Sequence, residues 1–305
     1  MVSLAYIFPG QGAQYVGMGK DLYQNSPAAR GVFEKADQIL GFNLTDLCFN
    51  GPLDKLSQTI NAQPAVLAVN IAGLQALQLQ NQTLKPKLVA GLSLGEYSAL
   101  VAAKSLSIED SLVLVRKRAQ LMSEASLKNP GKMAAIIGLS EQKVEEICRL
   151  SGSQIANLNS PGQIVVSGTN LEIENVVKLA GEKGAKRTVI LKIEGPYHCH
   201  LMDQAAEGLG QELAKVEIAK PRVPIVANVT GACEDSPQEI KSNLKEQLTC
   251  KTLWEKSIHL MISQGITNFV EIGPGKVLKG LLRRIDQDLK VYNVEKTEDL
   301  DKLLN

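Results

Sequence analysis

The sequence predicts an α/β protein built on a largely parallel sheet, and two observations carry that reading. Short β-branched runs alternate with longer helical stretches, the pattern of parallel strands joined by crossover helices. In addition, Gly91-Leu92-Ser93-Leu94-Gly95 follows the apolar run Leu88-Val89-Ala90 and precedes the helix-like stretch Glu96–Ala103. A G-x-S-x-G between strand and helix is a sharp turn that holds a serine hydroxyl out towards a substrate carbonyl. The helix start behind it offers free N–H groups and a positive dipole end, both of which favour an oxyanion.

In chain order, strands are expected at Leu4–Phe8, Leu88–Gly91, Met133–Ile137, Ile164–Ser167, Lys186–Leu191, Pro224–Asn228, Phe269–Ile272 and Val291–Val294. Each is a short run rich in branched or aromatic side chains, bounded by Gly, Pro, Asn or charged residues. Helices are expected at Pro64–Leu79, Ile108–Ala125, Glu141–Arg149, Leu171–Lys183, Met202–Leu213 and Leu253–Ser263, where the apolar spacing is helical. The break Ser126-Leu127-Lys128-Asn129-Pro130-Gly131 closes the serine-bearing region. From Met133 to Ile193 the order reads strand, helix, strand, helix, strand, a compact unit, after which Gly195-Pro196 returns the chain to the first region.

The 305 residues suffice for one large domain, or a large one with a smaller companion. Lys+Arg 33 against Asp+Glu 32 leaves the chain nearly neutral, and aromatics are only 4%. Both facts argue against a nucleic-acid protein, which would present basic surface and stacking rings. No apolar run in the sequence approaches membrane-spanning length, and strand-like residues begin at Leu4, so neither a membrane partner nor a targeting peptide is expected. Five cysteines, at 48, 148, 199, 233 and 250, lack paired spacing and read as reduced thiols of a cytoplasmic protein.

A serine needs a neighbouring base, because its free hydroxyl is almost never ionised near neutral pH. The chain has only three histidines, His198, His200 and His259. His259 lies within a helical stretch, where a surface or satisfied core histidine is the plain reading. His198 and His200 lie in Gly195-Pro196-Tyr197-His198-Cys199-His200, a Pro-led turn opening a helix, where catalytic groups are often displayed. Their H-x-H spacing has no third ligand beside it to make a metal site. Ile108, Leu112, Val115, Ala119 and Met122 form one helical stripe. Arg118 stands beside that stripe and can reach inward, whereas Arg116 reads as part of a solvated face.

These motifs, taken in order, resemble the malonyl-CoA:acyl carrier protein transacylase family. The likeness runs through Phe8-Pro9-Gly10-Gln11-Gly12-Ala13-Gln14, Gln63-Pro64-Ala65, Gly91 to Leu100 and the Arg118 helix. It continues in Asn157-Leu158-Asn159-Ser160-Pro161-Gly162-Gln163, Pro196-Tyr197-His198-Cys199 and Glu271-Ile272-Gly273-Pro274-Gly275-Lys276. The resemblance implies that Ser93 is acylated, that His198 is its base and that a main-chain carbonyl near Gln247 orients the imidazole, a dyad without an acidic member. It also implies an oxyanion hole from the N–H groups of Gln11 and Leu94, and a substrate site with Gln63, Asn157 and above all Arg118, whose planar fork would pair with the free carboxylate of malonyl.

The implied fold is an α/β-hydrolase-like catalytic subdomain, residues 1–127 and 196–305, with an inserted ferredoxin-like small subdomain, residues 128–195. The implied substrates are malonyl-CoA and acyl carrier protein, with no cofactor, since the CoA thioester is itself consumed. Lys186 and Arg187 match basic residues near the entrance, where an acidic carrier would land; Lys276, Lys279, Arg283 and Arg284 are weaker candidates. The chain departs from the family pattern in three places. Leu92 stands where most members have histidine, Ala119 where they have glycine, and Lys251-Thr252 where they have Pro-Val. Two rival readings stand beside this one. A serine hydrolase or thioesterase of the α/β-hydrolase class would use the late His259 as base, and a non-catalytic binding subunit would retain only the fold.

Overall fold

The computed structural model describes residues 3–303, so residues 1–2 and 304–305 of the expected 1–127 and 196–305 segments lie outside it. Ten strands run in order: β1 Leu4–Phe8, β2 Leu88–Gly91, β3 Gly131–Ile137, β4 Gln154–Ser160, β5 Gln163–Thr169, β6 Arg187–Ile190, β7 Ile225–Val226, β8 Cys233–Glu234, β9 Asn268–Ile272 and β10 Lys290–Val294. They form two sheets in a mixed α/β architecture.

The larger sheet has the order β10-β9-β1-β2-β7-β8. Its first five strands are parallel, and only the two-residue edge strand β8 runs antiparallel. Strands buried in such a sheet should be continuously apolar, and all of β1 and β2 is indeed buried. The register Phe8↔Gly91 brings the carboxyl ends of β1 and β2 side by side, with β7 next to β2 through Ala90↔Val226. Loops at the carboxyl ends of parallel strands are where ligands bind in open α/β sheets.

The smaller sheet has the order β4-β5-β3-β6 and is antiparallel throughout, so the parallel expectation holds only for the larger one. It also corrects the strand-helix-strand-helix-strand reading of residues 133–193, because β4 lies between the helix Glu141–Ser151 and β5. Asn157, Asn159 and Ser160 interrupt the apolar pattern of β4, and that polarity conceals it. Alternation sorts the two faces. Ala134, Ile136, Ile164 and Val166 pack on Val144, Ile147, Ile173 and Val176 of the two helices Glu141–Ser151 and Asn170–Glu182. Met133, Ala135 and Val165 turn the other way, towards the core of the larger region. A short strap joins the two regions: Leu158 N–H donates to the Thr252 carbonyl at 2.9 Å, and Thr252 N–H to that of Ala156 at 2.8 Å.

The helix Thr59–Gln80 starts five residues before the expected Pro64 and carries that proline inside its first turns. It is long and apolar enough to span a membrane by length and composition, contrary to the expectation that no stretch approaches this. Its best 18-residue window is 89% buried inside the protein, so its apolar surface is spent on the core. The helices Lys20–Asn25, Pro27–Leu40, Leu44–Asn50 and Leu53–Ser57, together with Pro237–Glu246 and Val277–Ile285, are further elements that the sequence reading does not place. Ser26, Asn43 and Ser236 cap three of them through side-chain oxygens, a local signal for helix starts.

Candidate active site

Ser93 stands at the turn between β2 and the helix Gly95–Ala102, with a backbone φ of 52°. A non-glycine residue in this left-handed region is strained and persists only where its surroundings over-determine it. Here they do. A Cβ on Gly91 would lie 1.9 Å from the Gly95 carbonyl carbon, and one on Gly95 would lie 2.1 Å from the Phe8 carbonyl oxygen. No side chain fits at either position. Asn228, just beyond β7, accepts from the Ser93 N–H through Oδ1 at 2.6 Å and donates from Nδ2 to the Gly91 carbonyl at 2.7 Å. On the other side Asn70, inside the apolar helix, donates to the Pro9 carbonyl and to Ser98 Oγ, both at 3.0 Å.

Ser93 Oγ lies 2.9 Å from His198 Nε2. His198 Nδ1 lies 2.7 Å from the Gln247 main-chain oxygen, which can only accept, so Nδ1 carries the proton and Nε2 presents its lone pair to the serine. Burial pushes the imidazole pKa from 6.5 down to about 4, the nearby Arg118 charge adds to that, and the hydrogen bond to the Gln247 carbonyl opposes it. The ring is therefore neutral near pH 7, as an acceptor must be. His200 is instead exposed and bound to Gln154 Oε1 at 2.7 Å. His259 is exposed on its helix, 3.9 Å from Glu255. Neither approaches the serine, and among the described residues no group of three His, Cys, Asp or Glu side chains is placed to hold a metal ion.

Arg118 is 1% exposed and reaches the same serine from the helix Ile108–Lys128. Its Nη2 donates to Ser93 Oγ at 3.1 Å and to Gln247 Oε1 at 3.0 Å, while Nη1 donates to Gln63 Oε1 at 2.7 Å. Its Nε–H is buried without a partner. Burial lowers its pKa, yet a guanidinium stays charged at any relevant pH. Gln63 is fully buried and passes the chain of contacts on, donating to Gln11 Oε1 at 3.3 Å. Arg116 is not the solvated residue that the sequence suggested: it bonds the Ile60 carbonyl and stacks 5.0 Å over the Phe42 ring. A helix face pointing to solvent at one turn is covered here by the neighbouring helix start and the Phe42 turn.

The loop after β1 brings Gln11 beside the elbow. A Cβ on Gly10 would lie 2.4 Å from the Leu92 carbonyl oxygen and 3.7 Å from the Leu94 nitrogen. The turn hydrogen bonds in this region use the amides of Leu92, Gly95, Glu96, Gly12 and Ala13, and those of Gln11 and Leu94 are not among them. A cleft of about 240 Å³ opens over this group, lined by Gln11, Ser93, Arg118 and His198 on one side. Asn157, Asn159, Gln163, Met133, Ala135, Val165 and Leu191 line it from the smaller sheet. Leu92 puts apolar surface beside Ser93 and packs on the second core cluster. Lys186 and Arg187 are exposed at the start of β6, and Lys186 lies against the Gly138 turn at the rim of the smaller sheet. Arg283 and Arg284 are exposed on the helix whose first residue, Val277, lines the cleft, and Lys276 is exposed just before it.

Sequence reasoning missed Asn228, Asn70 and Glu96. Glu96 is buried, and its Oε2 accepts from Gln247 Nε2 at 2.6 Å and from Asn228 N–H at 3.3 Å. A polar residue inside an apolar helix or at a strand end is the available signal for Asn70 and Asn228, since burial of such groups demands partners. Gln247 itself is fully buried and donates from Nε2 to the Ser93 carbonyl at 3.1 Å. The Lys251-Thr252 departure leaves this arrangement intact, because the strap to β4 uses only the main chain of Thr252.

Comparison with known proteins points one way. The family model for the acyl transferase domain matches residues 5–297. The malonyl CoA-acyl carrier protein transacylase of Bacillus subtilis is 43% identical over 306 residues, 99% of this chain and 96% of the relative. Among solved structures, the acyl-carrier-protein-S-malonyltransferase of Bartonella henselae superposes with a TM-score of 0.96 at 43% identity, covering 99% of this chain and 98% of that one. A malonyl-transacylase in complex with its type II PKS acyl-carrier protein matches with a TM-score of 0.96 at 36% identity, covering 99% of both chains.

Proposed function

This chain belongs to the acyl transferase domain family, among the malonyl CoA-acyl carrier protein transacylases, and from that premise we propose how its own residues perform the transfer. The enzyme moves the malonyl group from malonyl-CoA to the phosphopantetheine thiol of acyl carrier protein, a step of fatty acid biosynthesis. What carries the residue assignment is the bracketing of Ser93 Oγ between a neutral imidazole at 2.9 Å and a buried guanidinium at 3.1 Å.

In the first half-reaction His198 Nε2 takes the Ser93 proton as Oγ bonds to the thioester carbon. The carbonyl electrons move to oxygen, and the N–H groups of Gln11 and Leu94 receive that oxyanion. The Gln247 carbonyl stabilises the imidazolium formed in the same step. When the oxyanion collapses, the C–S bond breaks, and the leaving sulfur takes the proton from His198. The second half runs in reverse: His198 accepts the proton of the phosphopantetheine thiol, the sulfur attacks malonyl-Ser93, and Oγ leaves with the proton. Throughout, the malonyl carboxylate pairs with Arg118, whose guanidinium lines the cleft beside Ser93. An acetyl group would leave the charge uncompensated, which is costly in a buried site. Gln63 holds Arg118 from behind, and Asn157 faces the acyl chain from the opposite wall. No cofactor enters this chemistry.

The same reading assigns residues 1–127 and 196–305 to an α/β-hydrolase-like catalytic subdomain and 128–195 to a ferredoxin-like one. The strand order β4-β5-β3-β6 with two helices on one face supports the latter. Lys186 and Arg187 then form part of the landing surface for an acidic carrier, and the setting is cytoplasmic. The hydrolase alternative, with His259 as base, is not favoured, since that side chain is exposed beside Glu255. Mass spectrometry of the protein after exposure to malonyl-CoA tests the assignment: the added malonyl should sit on the peptide containing Ser93, and an adduct on any other residue overturns it.

A further inference from the structure

Arg118 and Ser93 hang on a layer of buried polar groups behind the cleft, and two carboxylates organise it. Glu96, one residue past the elbow's second glycine, accepts from the Gln247 side chain and the Asn228 main chain. Gln247 in turn accepts from Arg118 and gives its main-chain carbonyl to His198, while Asn228 holds the Ser93 N–H. Glu234, on the edge strand β8, accepts from Asn243 Nδ2 at 2.6 Å, and the Asn243 carbonyl accepts from the Gln247 N–H at 2.8 Å. The remaining oxygens, Oε1 of Glu96 and Oε1 of Glu234, are both buried without partners.

We propose that Glu96 is a positioning residue for acyl selectivity: by holding the Gln247 side chain it fixes Arg118 at the distance from Ser93 where a malonyl carboxylate is read. The idea rests on the role of Arg118 given above. What Glu96 supplies is reach. Accepting a hydrogen bond does not require a full charge, and burial with the neighbouring Glu234 pushes the Glu96 carboxyl well above the usual carboxylate range, while burial takes Glu234 up to about 7. An amide of the same length can then replace Glu96, and a shorter carboxylate cannot.

Glu96→Asp and Glu96→Gln separate length from charge. Rates of Ser93 acylation by malonyl-CoA and by acetyl-CoA are measured for both, with circular dichroism and thermal melting of each variant and Arg118→Ala in parallel. Glu96→Asp should lower the malonyl rate about tenfold or more relative to the acetyl rate, since a displacement of about 1 Å can cost a hundredfold; Glu96→Gln should restore the preference to within about threefold. Equal losses for both donors would make Glu96 merely structural, and loss of preference in Glu96→Gln but not Glu96→Asp would make its charge the cause. Either outcome overturns the proposal, and the Gln variant decides it alone if the Asp variant does not fold. If Arg118→Ala keeps the malonyl preference, the parent reading fails; if it loses the preference while Glu96→Asp keeps it, only the role of Glu96 fails.

Discussion

The two walls of the cleft are built on opposite principles. On the side of the parallel sheet each group proposed to react is tied by buried or half-buried hydrogen bonds: Ser93 to Asn228, His198 to Gln247, Arg118 to Gln63 and Gln247. On the side of the antiparallel sheet, Met133, Ala135, Val165 and Leu191 offer apolar surface, and Asn157 and Gln163 line the cleft among them. Proton transfer and carboxylate reading depend on angle and distance to tenths of an ångström, so that wall is fixed from several directions. The opposite wall has to exclude water and admit a long thin substrate, and shape suffices for that. Substitutions on the first wall should therefore change the chemistry, and those on the second chiefly binding.

The largest effect expected is on Ser93. Ser93→Ala should form no malonyl-enzyme detectable by intact-mass measurement and should lose at least about a thousandfold in turnover, the scale on which a catalytic dyad member is lost. A retained adduct would place the nucleophile elsewhere and break the contrast between the walls. Next comes Arg118→Ala. Loss of a charge-assisted pair of about 2–3 kcal/mol should reduce kcat/KM for malonyl-CoA about a hundredfold while leaving acetyl-CoA much closer to its original rate. Parallel kinetics with the two thioesters measure this.

A smaller, graded effect belongs to pH. Between about 4 and 6.5 the unfolded chain binds a proton on His198 that the folded protein does not, so the neutral imidazole contributes stability that is present above pH 6.5 and lost as the pH falls towards 4. Acylation should follow the same group. Its rate should hold from neutral pH down to about 5 and fall only on approach to 4; a midpoint near 6.5 in a stopped-flow profile would show the ring to be solvated. The smallest effect is expected at the exposed rim of the smaller sheet, outside the cleft itself. Lys186→Ala and Arg187→Ala should raise KM for the carrier protein about twofold to fivefold at low salt and less at high salt, because exposed charges are screened. A change in the rate of acylation by malonyl-CoA in these variants would erase the distinction between the two walls.

Much of this was legible along the chain, and the reason differs by residue. Ser93 announces itself through Gly91 and Gly95, since each glycine answers a steric demand within a few residues. The strands β1 and β2 match their expected limits, because strands buried on both faces are uninterrupted apolar runs. By contrast β4 was hidden by its asparagines, which turn towards the cleft. Arg116 looked solvated because helical periodicity describes one helix and says nothing of the neighbouring helix start and the Phe42 turn lying against it.

The amino-acid sequence by itself determined the alternation of strands and helices, the elbow, and a short roster of histidines and arginines from which base and anion-binding group could be chosen. Only the tertiary structure decided which of them meet. His198 and Gln247 are 49 residues apart, Arg118 and Gln63 are 55, and Gln247 and Glu96 are 151. No local pattern encodes such a meeting. It follows from burial: polar groups drawn together into the interior must satisfy one another there, and the partners are set by how the sheet and its helices close around them.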